Sequence, residues 1–217
     1  MIYKAIIFDL DGTLANTVLD IKIHVNTILK RHSFPEVSLE DTYALIGGGL
    51  RYAMKKALKG AENNEKIIDL YGEELVEEYS KRPIIDTHPY EGINTLLEKI
   101  KEKKIKMAVF SNKSHSITEK VVYTLFGREM FDIVKGYTEG VPKKPDPGGA
   151  LLIAEKFALS PKEIIYLGDS DTDCITANNG GFKFIAALWG YRTKKEIADA
   201  GADLFISKPI ELLDFLV

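Results

Sequence analysis

The stretch Lys4-Ala5-Ile6-Ile7-Phe8-Asp9-Leu10-Asp11-Gly12-Thr13-Leu14 places the tightest constraint on what this chain can fold into. Ala5 to Phe8 form an unbroken apolar run bounded by Lys4 and Asp9. A short run of this kind, rich in Ile and ended by a polar cluster with glycine, reads as a strand buried on both faces. Two carboxylates, Asp9 and Asp11, follow at its C-terminal end, and Gly12 lets the backbone turn sharply. Open α/β sheets bind ligands in the crevice at the carboxyl ends of their strands. Carboxylates crowded there repel each other unless a cation or hydrogen-bond donors offset them, and a divalent metal supplies that offset. The plain alternative is a solvated turn that happens to carry two aspartates.

After Leu14 the pattern changes. Leu19, Ile23, Val25, Ile28 and Leu29 recur at helical spacing. Ser38-Leu39-Glu40-Asp41 has the form of a helix start, Gly47-Gly48-Gly49 breaks that helix, and Leu50 to Leu58 begins another. Asn64 to Lys81 is a third strong helical stretch, stopped by Pro83. Residues 18–82 therefore predict an inserted helical cap, with hinges near Ala15–Val18 and Arg82–His88. Residues 1–17 and 83–217 predict the core. From Pro89 onward, helices over Gly92–Lys104, Ser116–Phe126, Gly148–Phe157 and Thr172–Asn179 alternate with strands over Lys106–Phe110, Ile133–Lys135, Ile164–Leu167, Phe184–Leu188 and Leu204–Ser207. Ser160-Pro161-Lys162-Glu163 and Thr193-Lys194-Lys195-Glu196 read as capping boxes, and Pro209–Leu216 as a last helix. This alternation argues an α/β fold with a doubly wound parallel sheet.

Composition narrows the function. The chain has 217 residues, 45% hydrophobic and 28% charged, the balance of an ordinary globular protein. A net charge of −3 gives no bulk attraction to nucleic acid. One cysteine, Cys174, excludes an intramolecular disulfide and fits a reducing compartment. No apolar run approaches a membrane span, and the run before Asp9 is too short for a secretory leader. A cytoplasmic protein without membrane partners is expected.

In a parallel sheet all strand C-termini lie on one edge, so distant clusters converge. Asp9–Thr13, Ser111-Asn112 and Asp169–Asp173 stand at strand ends, and Lys143-Lys144-Pro145-Asp146-Pro147 forms a loop because its prolines forbid a helix or inner strand. The converged set holds carboxylates, a hydroxyl, an amide and a lysine. His24, His32, His88 and His115 are scattered and read as packing or surface residues. Hard oxygen ligands select Mg²⁺ rather than Zn²⁺.

Asp9-Leu10-Asp11-Gly12-Thr13, Ser111-Asn112, Lys144-Pro145-Asp146-Pro147 and Gly168-Asp169 with Asp173 resemble, in order, the four motifs of the haloacid dehalogenase superfamily. The helical insertion is similar to that superfamily's small α-helical cap on a Rossmann-like core. Trp189-Gly190-Tyr191, Ala200-Gly201-Ala202-Asp203 and Pro209 resemble its phosphoglycolate phosphatase-like branch. The resemblance implies Asp9 as a nucleophile that forms an aspartyl-phosphate. It implies Asp11 as general acid and then base, its backbone carbonyl also on the metal, and Asp169 as a further ligand beside Asp9. Thr13, Ser111 and Asn112 would bind phosphoryl oxygens, Lys144 would offset their charge, and Asp173 would orient Lys144 or a metal-bound water.

Simpler roles stand beside these. Thr13 and Ser111 could cap the helices that follow them. Lys143 neighbours Lys144, though the lysine directly before Pro-x-Pro fits the motif. Asp171 reads as a solvated loop residue and Cys174 as packing. Asn16-Thr17 and Asn178-Asn179-Gly180 depart from the branch pattern, which bears on the substrate and not on the chemistry. The expected activity is Mg²⁺-dependent hydrolysis of a small phosphate monoester, with 2-phosphoglycolate the first compound to test. Arg51, Lys55 and Lys56 are the cationic cap candidates for reading the leaving group. A β-phosphoglucomutase-like mutase and a pyrophosphatase share the same motifs and remain alternatives. A non-enzymatic binding module is disfavoured by the intact Asp9, Asp11, Lys144 and Asp169. The expected partner is a small-molecule phosphate ester, the expected state a monomer or homodimer.

Overall fold

The computed structural model describes residues 3–216. The apolar run is strand β1 (Ala5–Phe8), with every residue fully buried. It pairs in parallel with β4 (Lys106–Ser114) on one side and β6 (Ile164–Gly168) on the other. β5 (Ile133–Tyr137) lies outside β4, while β7 (Lys183–Ala187) and β8 (Phe205–Ile206) continue beyond β6. The order β5-β4-β1-β6-β7-β8 makes a six-stranded parallel sheet. The chain leaves β1 in one direction and returns to its other side, so β1 is the topological switch point and the crevice opens at its C-terminal end.

Alternate strand residues serve the two faces, as a pleat requires. Ile6, Phe8, Val109, Ile165 and Leu167 meet α5 (Ile93–Glu102), α6 (His115–Phe126) and a final 3₁₀ segment (Pro209–Phe215). Ala5, Ile7, Ala108, Phe110 and Tyr166 meet α7 (Gly148–Phe157), α8 (Asp171–Gly180) and α9 (Lys194–Asp199). The fold is the α/β doubly wound sheet that the alternation predicts. Ser38, Ser160 and Thr193 begin their helical segments as their spacing predicts, the latter two within full capping boxes. The last element is 3₁₀ rather than α.

Between β1 and β4 stand α1 (Val18–Arg31), α2 (Leu39–Leu45), α3 (Leu50–Ala57) and α4 (Glu65–Lys81). Their buried residues, among them Val25, Ile28, Leu45, Met54 and Leu75, belong to the same apolar cluster as one face of the sheet.

The segments flanking these helices differ from the sequence reading. Ala15–Asn16 (β2) and His88–Pro89 (β3) pair antiparallel, Ala15 opposite Pro89 and Asn16 opposite His88. Two residues are too few for alternation to show in sequence. Asp20, fully buried on α1, reinforces the crossing: its carboxylate accepts from the backbone N–H of Ile85 (2.9 Å), Asp86 (2.8 Å) and Thr87 (3.1 Å) and from the Thr87 hydroxyl (2.6 Å).

β4 also runs further than its apolar core suggests, with an irregular register between Phe110 and Ser114 that carries Ser111-Asn112-Lys113 along the sheet edge. The residues at the N-caps of α1 and α6 are Thr17 and Ser114, so neither Thr13 nor Ser111 caps a helix.

Removing the Asp20 carboxylate strands three backbone N–H groups and a hydroxyl. Asp20→Ala is expected to lower the unfolding free energy by about 2–4 kcal/mol, measured by urea denaturation; a change below about 0.5 kcal/mol, the scale of ordinary surface substitutions, would contradict the bracing role.

Candidate active site

The site begins where β1 stops. The Asp9 N–H still donates to Leu167 O at 2.9 Å, which fixes the residue at the sheet edge. The chain then folds back, with the N–H groups of Thr13, Leu14 and Ala15 all directed at Leu10 O. Gly12 carries φ +93°, and a Cβ there would collide with the Asp169 carboxylate. Gly190 packs against the same side chain from the other side, and a Cβ there would also collide with it. Asp169 is thus wedged between two backbones that only glycine allows so close. Its Oδ1 accepts from the Thr13 hydroxyl (2.9 Å) and its Oδ2 from the Tyr191 N–H (2.7 Å).

Lys144 is the pivot of the charges. Its buried ammonium donates to Asp9 Oδ1 at 2.7 Å and to Asp173 Oδ1 at 2.7 Å, and contacts Phe110 O at 3.3 Å. Asp173 also accepts from the Ser170 hydroxyl (2.5 Å), and Ser170 in turn caps α8 by accepting from the Asp173 N–H (3.1 Å). Oxygen atoms of Asp9, Asp169 and Asp173 lie within 4.8 Å of one another. Three buried carboxylates against one ammonium leave the cluster with excess negative charge. Burial, and then the charge of Asp173, raises the Asp9 pKa well above the carboxylate range. Burial, with Asp173 adding to it, pushes Asp169 up to about 7. Burial opposes the Lys144 charge, yet Asp173 and Asp9 hold its ammonium on well above the ordinary lysine range. An all-carboxylate donor set with unmet negative charge fits a hard divalent cation.

Asp11 turns away from this cluster. Its Oδ1 accepts from Lys113 Nζ (2.6 Å) and the Thr17 hydroxyl (2.7 Å). Lys113 is itself buried, 3.2 Å from the Tyr79 hydroxyl of α4. Ser111 Oγ accepts from the Lys113 N–H at 3.1 Å. Asn112 clasps the Lys144 backbone, its Oδ1 accepting from the Lys144 N–H (2.8 Å) and its Nδ2 donating to Lys144 O (3.1 Å). The same Nδ2 donates to Gly47 O in the glycine loop (2.8 Å).

Asp9, Asp11, Ser111, Asn112, Lys144 and Asp169 share a cavity of about 40 Å³, roofed by Leu45–Gly47, Gly49 and Leu50. Thr13 does not reach its wall; the Gly12 turn buries it behind Asp169, where its hydroxyl is spent. Nor do the expected cap cations reach it. Arg51 pairs with Glu73 (3.5 Å), Lys55 with Glu65 (2.9 Å), and Lys56 donates to Ala44 O (2.8 Å). The cations at the cavity besides Lys144 are Lys113 and Arg192, which the sequence reading did not single out. The position of Lys113 directly after Ser111-Asn112 was the available signal. Arg192 had none beyond following Trp189-Gly190-Tyr191; it donates to Tyr43 O (2.8 Å) and Ile46 O (2.6 Å) at the end of α2. Arg192→Met is expected to raise amide hydrogen exchange in residues 43–50 at least tenfold, roughly the loss of one charge-assisted bond; unchanged exchange would contradict this tie.

Across residues 6–187 the chain matches the model of the haloacid dehalogenase-like hydrolase family. It is 32% identical over 214 residues to the phosphoglycolate phosphatase of Aquifex aeolicus, covering 98% of this chain and 96% of that protein. It is 28% identical to the N-acetylmuramic acid 6-phosphate phosphatase of Pseudomonas aeruginosa, covering 98% and 94% of the two. The crystal structure of a predicted phosphoglycolate phosphatase from Haemophilus somnus superposes with a TM-score of 0.89 at 26% identity, over 99% of this chain and 98% of that one. With the aspartate pair at the β1 edge and the buried lysine beside it, the chain belongs to the haloacid dehalogenase-like hydrolase family, in its phosphoglycolate phosphatase-like branch.

Proposed function

We propose that this phosphatase is Mg²⁺-dependent and hydrolyses a small phosphate monoester of the phosphoglycolate type through an aspartyl-phosphate on Asp9. The observation that carries the reading is the Asp9 carboxylate held at the sheet edge, 2.7 Å from Lys144, facing the cavity beneath the glycine loop. Asp9, Asp169 and the Asp11 backbone carbonyl would hold the metal, with Asp173 beside them. When bound, the cation offsets the crowded carboxylates and the charge on the phosphoryl oxygens.

In this reading an Asp9 oxygen forms a bond to phosphorus as the ester P–O bond breaks. Asp11 gives the leaving oxygen its proton. Asp11 then takes a proton from water, whose oxygen attacks phosphorus; the P–O bond to Asp9 breaks, restoring the carboxylate and releasing phosphate. Ser111, the Asn112 backbone and Lys144 bind the phosphoryl oxygens, and charge on them is met inside a site of low polarity. Asp173 fixes Lys144, while Thr13 serves by holding Asp169.

Residues 18–82 act as a cap and residues 1–17 and 83–217 as the core, the cap closing over the substrate and excluding water. The cavity supports a small leaving group: a water needs roughly 10–15 Å³ on this measure, so about 40 Å³ fits little more than a phosphoryl group. The protein works in the cytoplasm as a monomer or homodimer; among the described residues no helix is long and apolar enough to cross a membrane.

The test is kcat/KM across 2-phosphoglycolate, N-acetylmuramic acid 6-phosphate, other sugar phosphates, nucleotides and pyrophosphate, with and without chelator. Phosphoglycolate is expected to lead and chelation to abolish turnover. Preference for pyrophosphate, or isomerisation of a sugar phosphate without net release of phosphate, would replace the reading. Asp9→Asn is expected to lower kcat by at least about 10³ with a melting temperature close to wild type; activity within tenfold of wild type would remove Asp9 as nucleophile.

A further inference from the structure

Lys113 keeps almost its whole side chain inside the protein, with 2% of it exposed. A buried ammonium is unfavourable unless it is paired and hydrogen-bonded. The chain holds this one from the backbone outward. The Lys113 N–H donates to Ser111 Oγ (3.1 Å), and its C=O accepts from the Thr118 hydroxyl (3.1 Å). Gly136 closes against the same carbonyl, and a Cβ there would lie 2.7 Å from its oxygen. The root of the side chain is therefore fixed in β4.

Its Nζ reaches two oxygens. It donates to Asp11 Oδ1 at 2.6 Å and to the Tyr79 hydroxyl at 3.2 Å. Among the described residues, Asp11 is the one carboxylate within 4.0 Å of it. Tyr79, on α4, is fully buried, its ring centre 4.7 Å from that of His24 on α1. The ammonium is thus held between the helical insertion and the turn that follows β1.

Asp11 accepts twice on one oxygen. Lys113 and the Thr17 hydroxyl (2.7 Å) both donate to Oδ1, and among the described residues no group donates to Oδ2. Asp11 also walls the catalytic cavity. An aspartate held by nothing turns about its side-chain torsions. Two donors that converge on Oδ1 from different elements fix the carboxyl group and leave Oδ2 for the proton. A general acid must lie within hydrogen-bond reach of the oxygen it protonates, and a misplacement of about 1 Å can cost about 10²-fold in rate.

We infer that Lys113, held by Tyr79, is a positioning residue that orients the Asp11 carboxyl for proton transfer through Oδ2. The inference rests on the phosphatase reading above and deepens it. Oδ2 gives its proton to the ester oxygen as the bond from that oxygen to phosphorus breaks, and takes one from water in the second step. Lys113 keeps its own protons throughout.

The acidity of the leaving group supplies the test. p-Nitrophenolate leaves phosphorus without a proton and an alkoxide does not, so a misplaced acid slows the alkyl ester alone. The quantity measured is the ratio of kcat/KM for 2-hydroxyethyl phosphate to that for p-nitrophenyl phosphate. Neither leaving group is a carboxylate, so a lost contact between Lys113 and a substrate carboxylate does not enter the ratio. Lys113→Met is expected to lower the ratio by about tenfold or more, through kcat and with KM for the alkyl ester within about threefold of wild type. Tyr79→Phe is expected to lower it by about threefold or more. In an Asp11→Asn background, Lys113→Met is expected to change the ratio by less than about twofold, because the group it acts through is gone. Equal loss on both esters, an unchanged ratio in either single variant, or a full Lys113 effect in the Asp11→Asn background overturns the proposal. Tyr79→Phe removes a single oxygen and decides alone if thermal melts show that Lys113→Met does not fold. Active wild type with unchanged ratios in the variants refutes only the positioning role. Wild type that hydrolyses neither ester refutes the phosphatase reading, and this inference with it.

Discussion

The ammonium of Lys144 is the contact on which the site depends. Burying Asp9, Asp169 and Asp173 together is unfavourable, because each loses water and repels the others. Lys144 meets two of the three at 2.7 Å. Breaking such a buried pair costs about 3–5 kcal/mol, since a charge is left uncompensated. Yet Lys144 lies on a loop, whose place is set from elsewhere. Asn112 grips its backbone on both the N–H and the C=O side. The electrostatics at β1 therefore rest on an amide at the end of β4, two residues beyond the last apolar position of that strand.

That dependence explains what the sequence could and could not reveal. β1, the strand ends and the capping boxes were legible because each is a local pattern: an apolar run, a turn glycine, Ser or Thr three residues before Glu. Asp9, Ser111, Asn112, Lys144, Asp169 and Asp173 converge because a parallel sheet brings its strand ends to one edge. The β2–β3 pairing was not legible, being two residues long. The direction of the α3 cations was not legible either. Arg51, Lys55 and Lys56 are close in sequence to the glycine loop, but the packing of α3 on α4 turns Arg51 and Lys55 toward Glu73 and Glu65. The Thr13 hydroxyl went to Asp169 because the Gly12 turn presses the two together, a contact across 156 residues of sequence.

The roof over the catalytic cavity offers acceptors rather than charged side chains. Tyr43 O and Ile46 O meet Arg192, Gly47 O meets Asn112, and Gly48 O meets Lys143. The donors in all these contacts come from the sheet side. Glycines 47–49 let a backbone approach close enough to present carbonyls in this way. Two of the three donors, Asn112 and Arg192, also wall the cavity, so changing either alters both the fit of the roof and the shape of the cavity.

Asp20 gives the crossing a mechanical character. Chain enters the helical block through β2 and leaves through β3, and two separate linkers would let the block swing and twist about several axes. The Asp20 carboxylate, on the outgoing strand's helix, grips the returning backbone at residues 85–87, and the β2–β3 ladder joins the two segments just below. Entry and exit are joined into one two-stranded ribbon. Twisting Val18–Lys81 against the sheet would break the ladder or the Asp20 hydrogen bonds, whereas bending across the ribbon leaves them in place. Holding the block in one position therefore costs little orientational entropy.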